Sequence, residues 1–140
     1  MKDTNWQHAR AMEFKIEFGG EPQDVTVTLS GVADLIGFRR YNEEFSSDPR
    51  FRAGMLILVD ASALDSSQLS SEHLEAASQQ MSERDWIHPP RAIAIVAPDP
   101  RTFDDFGAAR AHQGGSRSRR RVFAAREPAV SWLDEQRRSE

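Results

Sequence analysis

The 140-residue chain contains no cysteine. Without a thiol it has no disulfide, no thiolate metal site and no sulfur nucleophile, so these kinds of chemistry are excluded. Long apolar runs are also missing, since the longest ones, residues 55–59 and 92–97, are far too short to cross a bilayer. Residues 1–13 lack the apolar stretch of a signal peptide, and we therefore expect a cytoplasmic protein.

Recognisable metal and cofactor motifs are missing as well. The four histidines, His8, His73, His88 and His112, lie far apart and without the spacing of metal ligands. No glycine-rich phosphate loop accompanies them. The sequence therefore predicts neither a metal nor a cofactor, and no catalytic residue stands out.

The overall composition is that of one globular domain. The chain is 39% hydrophobic and 29% charged, unlike a disordered or a membrane protein. Its length suits a single core, which we assign to residues 12–136, after a flexible start at 1–11 and before a tail at 137–140. The net charge is −4, yet residues 101–140 are locally basic.

Two periodicities predict the architecture. Alternating apolar residues at 14–18 and 25–29, joined by turn-forming residues, predict an antiparallel hairpin, and residues 32–45 have the spacing of an amphipathic helix. Continuously apolar residues 55–59 and 93–96 predict neighbouring parallel strands covered on both faces. With further helices and a short strand from residue 121, the pattern indicates an α/β fold with a single mixed sheet of about five strands.

Four segments in this order resemble the SpoIIAA-like branch of the STAS domains, which are small bacterial modules. They are SDPRFRAGMLILVD (residues 47–60), AIAIVAPD (92–99), FGAAR (106–110), and RVF (121–123) followed by AVSWL (129–133). The resemblance implies a SpoIIAA-like sheet with helices packed against it and a non-catalytic interaction domain. Because lipid-carrying CRAL-TRIO folds are related, it also implies that an apolar ligand is a reasonable alternative.

A serine-rich segment follows the first central strand. It resembles the segment of anti-sigma-factor antagonists in which a serine at a helix start is phosphorylated, although the spacing from the strand is shorter and the following glycine is replaced by Gln68. The candidate partner-binding residues are Ser62, Asp65, Ser66 and Ser67. The alternative is a polar loop that caps the next helix, through Ser70 or Ser71.

Two aspartates follow the two central strands. Asp60 and Asp99 are placed where ligands of open α/β sheets bind, and Trp86 follows the second predicted helix. We take these three as candidate ligand-binding residues, Trp86 because it would line an apolar groove or a dimer contact. The alternatives are that the aspartates brace loops and that the tryptophan belongs to the core.

The basic segment supplies a candidate anion site at Arg117, Arg119 and Arg120. Arginines bind phosphate through charge-assisted hydrogen bonds. However, the aromatic residues that stack on single-stranded nucleic acid are missing around them, and no nucleic-acid partner is favoured. The alternative is a solvated charged surface.

Three functional hypotheses follow from these observations. The first is a non-catalytic regulatory module that binds an unidentified protein. The second is a carrier or sensor of a small apolar ligand or lipid, and the third is an enzyme that uses Asp60 and Asp99 as acid and base. The free edges of the predicted sheet also leave a homodimer open.

Overall fold

The computed structural model describes residues 11–70, 72–73, 76, 90–99 and 119–138. The elements in chain order are strands and helices that we number β1 (Glu13–Phe18), β2 (Val25–Val32), α1 (Leu35–Ser47), β3 (Leu56–Asp65), β4 (Ala92–Val96), β5 (Arg119–Phe123) and α2 (Arg126–Arg138). Among these residues, no helix is both long enough and apolar enough to span a membrane.

The five strands form one mixed sheet in the order β1-β2-β3-β4-β5. The β1–β2 hairpin is antiparallel, and all other neighbours are parallel. In the centre, Ile57 of β3 lies beside Ile93 of β4, and the two strands run in the same direction. The predicted fold class and its pair of central parallel strands are thus confirmed.

One face of the sheet carries the larger core. The residues of β2 and β3 in this core are Val25, Val27, Leu29, Ile57, Val59, Ala61 and Leu64, and even-numbered residues of β1 pack against them from the sheet edge. Aromatic residues from α1 and the following loop cover them, with Phe45 stacked on Phe51 at a ring-centroid distance of 3.5 Å. Apolar burial of this extent is the main stabilising term for the α1 side of the domain.

The second face is covered by α2. Leu56 and Leu58 of β3 and the alanines of β4 face Ala129 and Leu133, which are fully buried. Since β3 and β4 are buried on both faces, their sequences are continuously apolar instead of alternating. This layer explains why two apolar strand segments lie in the interior of the sheet.

Arginine side chains attach the C-terminal turn of α2 to the sheet. Arg91 donates to the backbone carbonyl of Gln136, and Arg119 donates from Nη1 to Gln136 Oε1 at 2.6 Å. Arg137 donates from Nε to the Pro22 carbonyl at 2.7 Å and forms an ion pair with Asp24 at 2.9 Å. Cations at this position also interact favourably with the negative end of the helix dipole.

A glycine allows α1 to approach the chain before β1. A methyl group added at Gly37 would lie 2.5 Å from Met12 Sδ and 2.9 Å from Met12 Cβ. Both distances are shorter than carbon and sulfur atoms tolerate, so the packing of α1 requires a residue without a Cβ at this point. Met12 itself is buried in the larger core.

Several predicted boundaries differ from the structure. Strand β3 continues to Asp65, so Ser62 and Asp65 belong to a strand, not to the predicted loop. Likewise β2 continues to Val32, which pairs with Asp65, and α1 therefore begins at Leu35 instead of residue 32. Strand β5 begins at Arg119, two residues before the predicted start.

Candidate functional site

The predicted serine segment lies where β2 and β3 end together. The Ala33 N–H donates to the Asp65 carbonyl at 2.8 Å, which joins the end of β3 to the residues just before α1. Exposed side chains from the end of β3, from the turn after it and from the first turn of α1 lie at this end of the sheet. We call Ile36, Ser62, Asp65 and Ser67 the β3-end surface.

Asp60 fixes one part of this region. Its Oδ1 accepts from the Ser62 N–H at 3.0 Å and from the Ser62 hydroxyl at 2.6 Å. Its Oδ2 forms an ion pair with Arg126 at 3.2 Å, at the first residue of α2. The Asp60 side chain is 16% exposed, and it links the middle of β3 to the second helical layer.

The turn after β3 is fixed by a second carboxylate. Asp65 Oδ1 accepts from the Ser67 N–H at 2.9 Å, and the Ser66 carbonyl accepts from the Leu69 N–H at 3.1 Å. Ser66 and Leu69 are buried, whereas Asp65 and Ser67 are exposed. Three of the four predicted partner-binding residues, Ser62, Asp65 and Ser67, are therefore on the surface, and Ser66 is not.

Ser70 caps the helical segment that follows, as the sequence predicted. Its hydroxyl accepts from the His73 N–H at 3.2 Å, and its own N–H donates to His73 Nδ1 at 3.5 Å. This reciprocal arrangement resembles a capping box in which histidine occupies the position usually held by glutamate or glutamine. Hydrogen bonds thus hold the segment after β3 at both ends, at Asp65 and at Ser70.

The start of α1 completes this end of the sheet. Asp34 is the N-cap residue, and its Oδ1 accepts from the Gly37 N–H at 2.6 Å. Between them Ile36 is 69% exposed, the one large apolar side chain among the described residues that is exposed to this extent. An isolated exposed isoleucine is common on protein surfaces, but this one lies beside a fixed polar turn.

Asp99 is the other predicted ligand-binding residue that the structure describes. Asp99 is exposed and lies beyond β4 at the same end of the sheet. Both carboxylate oxygens of Asp60 contact groups of its own chain, which agrees with the loop-bracing alternative. Trp86 lies outside the described residues.

The predicted anion-binding arginines have structural roles where they are described. Arg119 contacts Gln136 as part of the attachment of α2, and Arg120 is half-buried in β5. Arg117 lies outside the described residues. Within the described ranges, no group of three or more histidine or acidic residues is arranged to hold a metal ion.

A groove of about 440 Å³ lies at the other end of the sheet, between the β1–β2 turn and the loop before β3. Phe18 and Met55 form its apolar part, and Arg52 contributes to its polar wall. At its rim the guanidinium of Arg50 lies 4.1 Å from the centre of the Phe18 ring. Hydrogen bonds from Arg50 also lower the pKa of Asp48 below its ordinary value.

Sequence reasoning missed three of the residues that shape the β3-end surface. Asp34 is a residue type that favours the N-cap, and in the structure it accepts from the N–H of Gly37, three residues later. Because the predicted helix started at residue 32, Asp34 was placed inside the helix and not at its cap. Ile36 belonged to an apolar helix stripe, and only its position on α1 shows that it faces solvent. Arg126 contacts a residue 66 positions away, and no local pattern predicts such a pair.

Comparison with known proteins identifies the fold. A solved structure from Shewanella loihica PV-4, an uncharacterized protein of the DUF3478 family with a SpoIIAA-like fold, is similar to this chain with a TM-score of 0.57. The match covers 87% of this chain and 93% of the other, at 14% sequence identity. No protein-family model and no curated protein matches the sequence. The chain therefore has a SpoIIAA-like fold, as its sequence predicted.

Proposed function

We propose, with the SpoIIAA-like fold as the premise, that the chain is a non-catalytic module that binds a protein partner through its β3-end surface. The observation that carries this proposal is the combination of an exposed apolar side chain, Ile36, with exposed polar groups that the chain itself holds in place. Each part of that combination supports recognition for a separate physical reason.

The first reason is preorganisation. The Ser62 hydroxyl is directed by Asp60, and the Asp65 carboxylate is directed by the Ser67 N–H. Binding costs free energy for every side chain and loop that must be ordered at an interface. Groups that are already ordered in the free protein reduce this cost, and they specify which partner groups fit.

The second reason is the apolar contact. Most of the Ile36 side chain is exposed to water, although the rest of the apolar stripe of α1 is buried. Covering such a side chain contributes about 1.5–3 kcal/mol to binding, before the costs of association. Interfaces commonly combine an apolar contact with polar groups. The hydrogen bond from the Ala33 N–H to the Asp65 carbonyl brings the start of α1, which carries Ile36, to the end of β3.

The proposal is non-catalytic, and it gives Asp60 a role in the fold. Asp60 contacts Ser62 through one oxygen and Arg126 through the other. These hydrogen bonds connect two elements of the same domain, which is the geometry of a brace.

Affinity capture with matched variants tests the proposed surface. The wild type, Ile36→Lys and Glu44→Lys are used as baits, because Glu44 is exposed and lies about 12 Å further along the axis of α1. We expect a partner that binds the wild type and Glu44→Lys but loses at least about 90% of its binding to Ile36→Lys. The captured protein is then purified, and its affinity for the three baits is measured directly.

Two outcomes contradict the proposal. In the first, the purified partner binds Ile36→Lys as tightly as the wild type. In the second, no protein is captured above the background of a bait-free resin. All three baits are checked by circular dichroism and thermal unfolding, so that a loss of binding is not a loss of folding.

The groove at the opposite end supports a second candidate function, the binding of a small ligand. Its apolar part, Phe18 and Met55, lies next to the charged side chains of Glu21, Asp24, Arg50 and Arg52, which suits a guest with an apolar body and a polar group. Native mass spectrometry of the purified chain tests this candidate. A retained guest that protects residues 18–24 and 49–55 from hydrogen exchange supports it, and a bare chain mass counts against it.

A further inference from the structure

Strand β1 is an edge strand of the sheet. It pairs with β2 along one side, and no described strand pairs with its other side. An edge of this kind presents a row of backbone N–H and C=O groups that can accept another strand. The question is which strand has side chains that match it.

The side chains of β1 alternate in a regular way. Glu13, Lys15 and Glu17 are exposed on the outer face. Phe14, Ile16 and Phe18 are half-buried on the inner face, where they pack against the larger core. The strand therefore has an apolar side and a charged side, and the charged side alternates in sign.

From this pattern we infer that a second copy of the chain pairs with β1 in antiparallel orientation, with Ile16 opposite the partner's Ile16. In this register Lys15 lies opposite the partner's Glu17, and the same contact occurs again on the other side of the twofold axis. On the inner face Phe14 lies opposite the partner's Phe18. Opposite charges and aromatic pairs at directly facing positions both stabilise a strand pair.

Neighbouring registers are disfavoured by the same side chains. A shift by one residue places charged side chains opposite apolar ones, on the wrong face of the joined sheet. A shift by two residues in one direction places Lys15 opposite the partner's Lys15, and in the other direction Glu17 opposite the partner's Glu17. Like charges at facing positions are destabilising. The inferred register is thus the one that combines matched faces with matched charges.

The inference also gives a role to the lysine of this strand. A lysine on an edge strand usually discourages strand addition. Lys15 lies 3.5 Å from Glu17 of its own strand, with both side chains mostly exposed, so its charge is available to a facing carboxylate. The joined dimer has a closed twofold interface and one continuous sheet made from two five-stranded sheets.

Charge reversal with a compensating change tests the interface. Analytical ultracentrifugation of the wild type is expected to show a monomer–dimer equilibrium. Lys15→Glu replaces both facing ion pairs by repulsive pairs, and we expect its dissociation constant to rise at least about tenfold. The double variant Lys15→Glu/Glu17→Lys restores the facing pairs in reversed order, and its dissociation constant is expected to return to within about threefold of the wild type.

Arg39→Glu is the matched control, since it makes the same change in charge at an exposed position of α1. It is expected to dimerise like the wild type. The inference is overturned if the wild type stays monomeric up to its solubility limit, or if the double variant fails to recover although it is folded. It is also overturned if species larger than dimers grow with concentration, because that indicates head-to-tail pairing.

A cross-link tests the register. The chain has no cysteine, so Ile16→Cys introduces a single thiol beside the twofold axis. Facing residues of antiparallel strands have Cα atoms about 4.5–5.5 Å apart, which a disulfide can bridge. Rapid formation of a covalent dimer is expected for Ile16→Cys but not for Ser67→Cys, which is exposed at the end of the sheet. Equal rates for the two variants would contradict the register.

Discussion

Replacing Asp60 with alanine removes the contact that joins the middle of β3 to the start of α2. The side chain accepts two hydrogen bonds from Ser62 and one from Arg126. Hydrogen bonds to a charged group contribute about 1.5–3 kcal/mol when buried, and we use about 1 kcal/mol each for Ser62 because it is exposed. The ion pair with the half-exposed Arg126 adds about 0.5 kcal/mol.

The expected loss is therefore about 2–3 kcal/mol of unfolding free energy. For a chain of this size, that loss lowers the melting temperature by roughly 8–10 °C. Asp60→Asn keeps an acceptor for Ser62 but loses the charge, so we expect about half of the effect. The unfolding free energy of the wild type and both variants is measured by urea unfolding, monitored with circular dichroism. An unchanged m-value indicates that the folded and unfolded states are comparable among the three proteins.

Asp134→Ala is the matched control, because Asp134 forms an exposed ion pair with Arg138 at 3.0 Å within α2. Its expected cost is about 0.3–0.5 kcal/mol. A double-mutant cycle then isolates one contact: Asp60→Ala and Ser62→Ala should be coupled by about 1 kcal/mol, because both remove the hydrogen bond from the Ser62 hydroxyl to Asp60. The reasoning is refuted if Asp60→Ala costs no more than the control, or if the cycle shows no coupling.

Three further variants probe the scaffold, each by urea unfolding. Gly37→Ala is expected to lower stability although alanine gains about 1 kcal/mol of helix propensity, because the new methyl group overlaps Met12; a net gain would contradict this packing. Leu133→Ala, at a fully buried position of α2, should cost about 3 kcal/mol, and a cost below about 1 kcal/mol would mean that α2 does not cover the second face. Ser70→Ala should cost about 1 kcal/mol through the lost cap to His73, and no change would show that the cap is not formed in solution.

The centre of the fold was predictable because its local patterns are strong. The alternation of Phe14, Ile16 and Phe18 indicated a strand with one buried face, and residues 55–59 and 93–96 could be continuously apolar only if helices covered both faces. Their parallel pairing then followed from the helical segments between the strands. These predictions are confirmed by the sheet.

The ends of the elements were harder to predict because tertiary pairing decides them. Residues 61–65 have little apolar alternation, and they form a strand because Gly31 and Val32 of β2 pair with Leu64 and Asp65. Arg119 and Arg120 have the composition of a solvated loop, yet β4 aligns them as the start of β5. In both cases the backbone partner lies far away in the sequence.

The candidate site was predictable in its location but not in its geometry. The sequence placed Ser62, Asp65 and Ser67 in a loop after a central strand. In the structure all three are exposed, but Ser62 and Asp65 lie within β3 and only Ser67 follows it. Ser66 has the same side chain as its neighbour, and only the turn between β3 and Leu69 shows that it is buried. The partner, the ligand and the role of the residues outside the described ranges stay predictions.

Hydrogen exchange with and without the captured partner tests recognition through the β3-end surface most directly. We predict that the partner slows exchange of backbone amides in residues 33–37 and 61–70, and leaves the β1–β2 turn at residues 19–24 unchanged. Protection of the β1–β2 turn and the groove, with unchanged exchange at residues 33–37 and 61–70, would contradict the proposed surface.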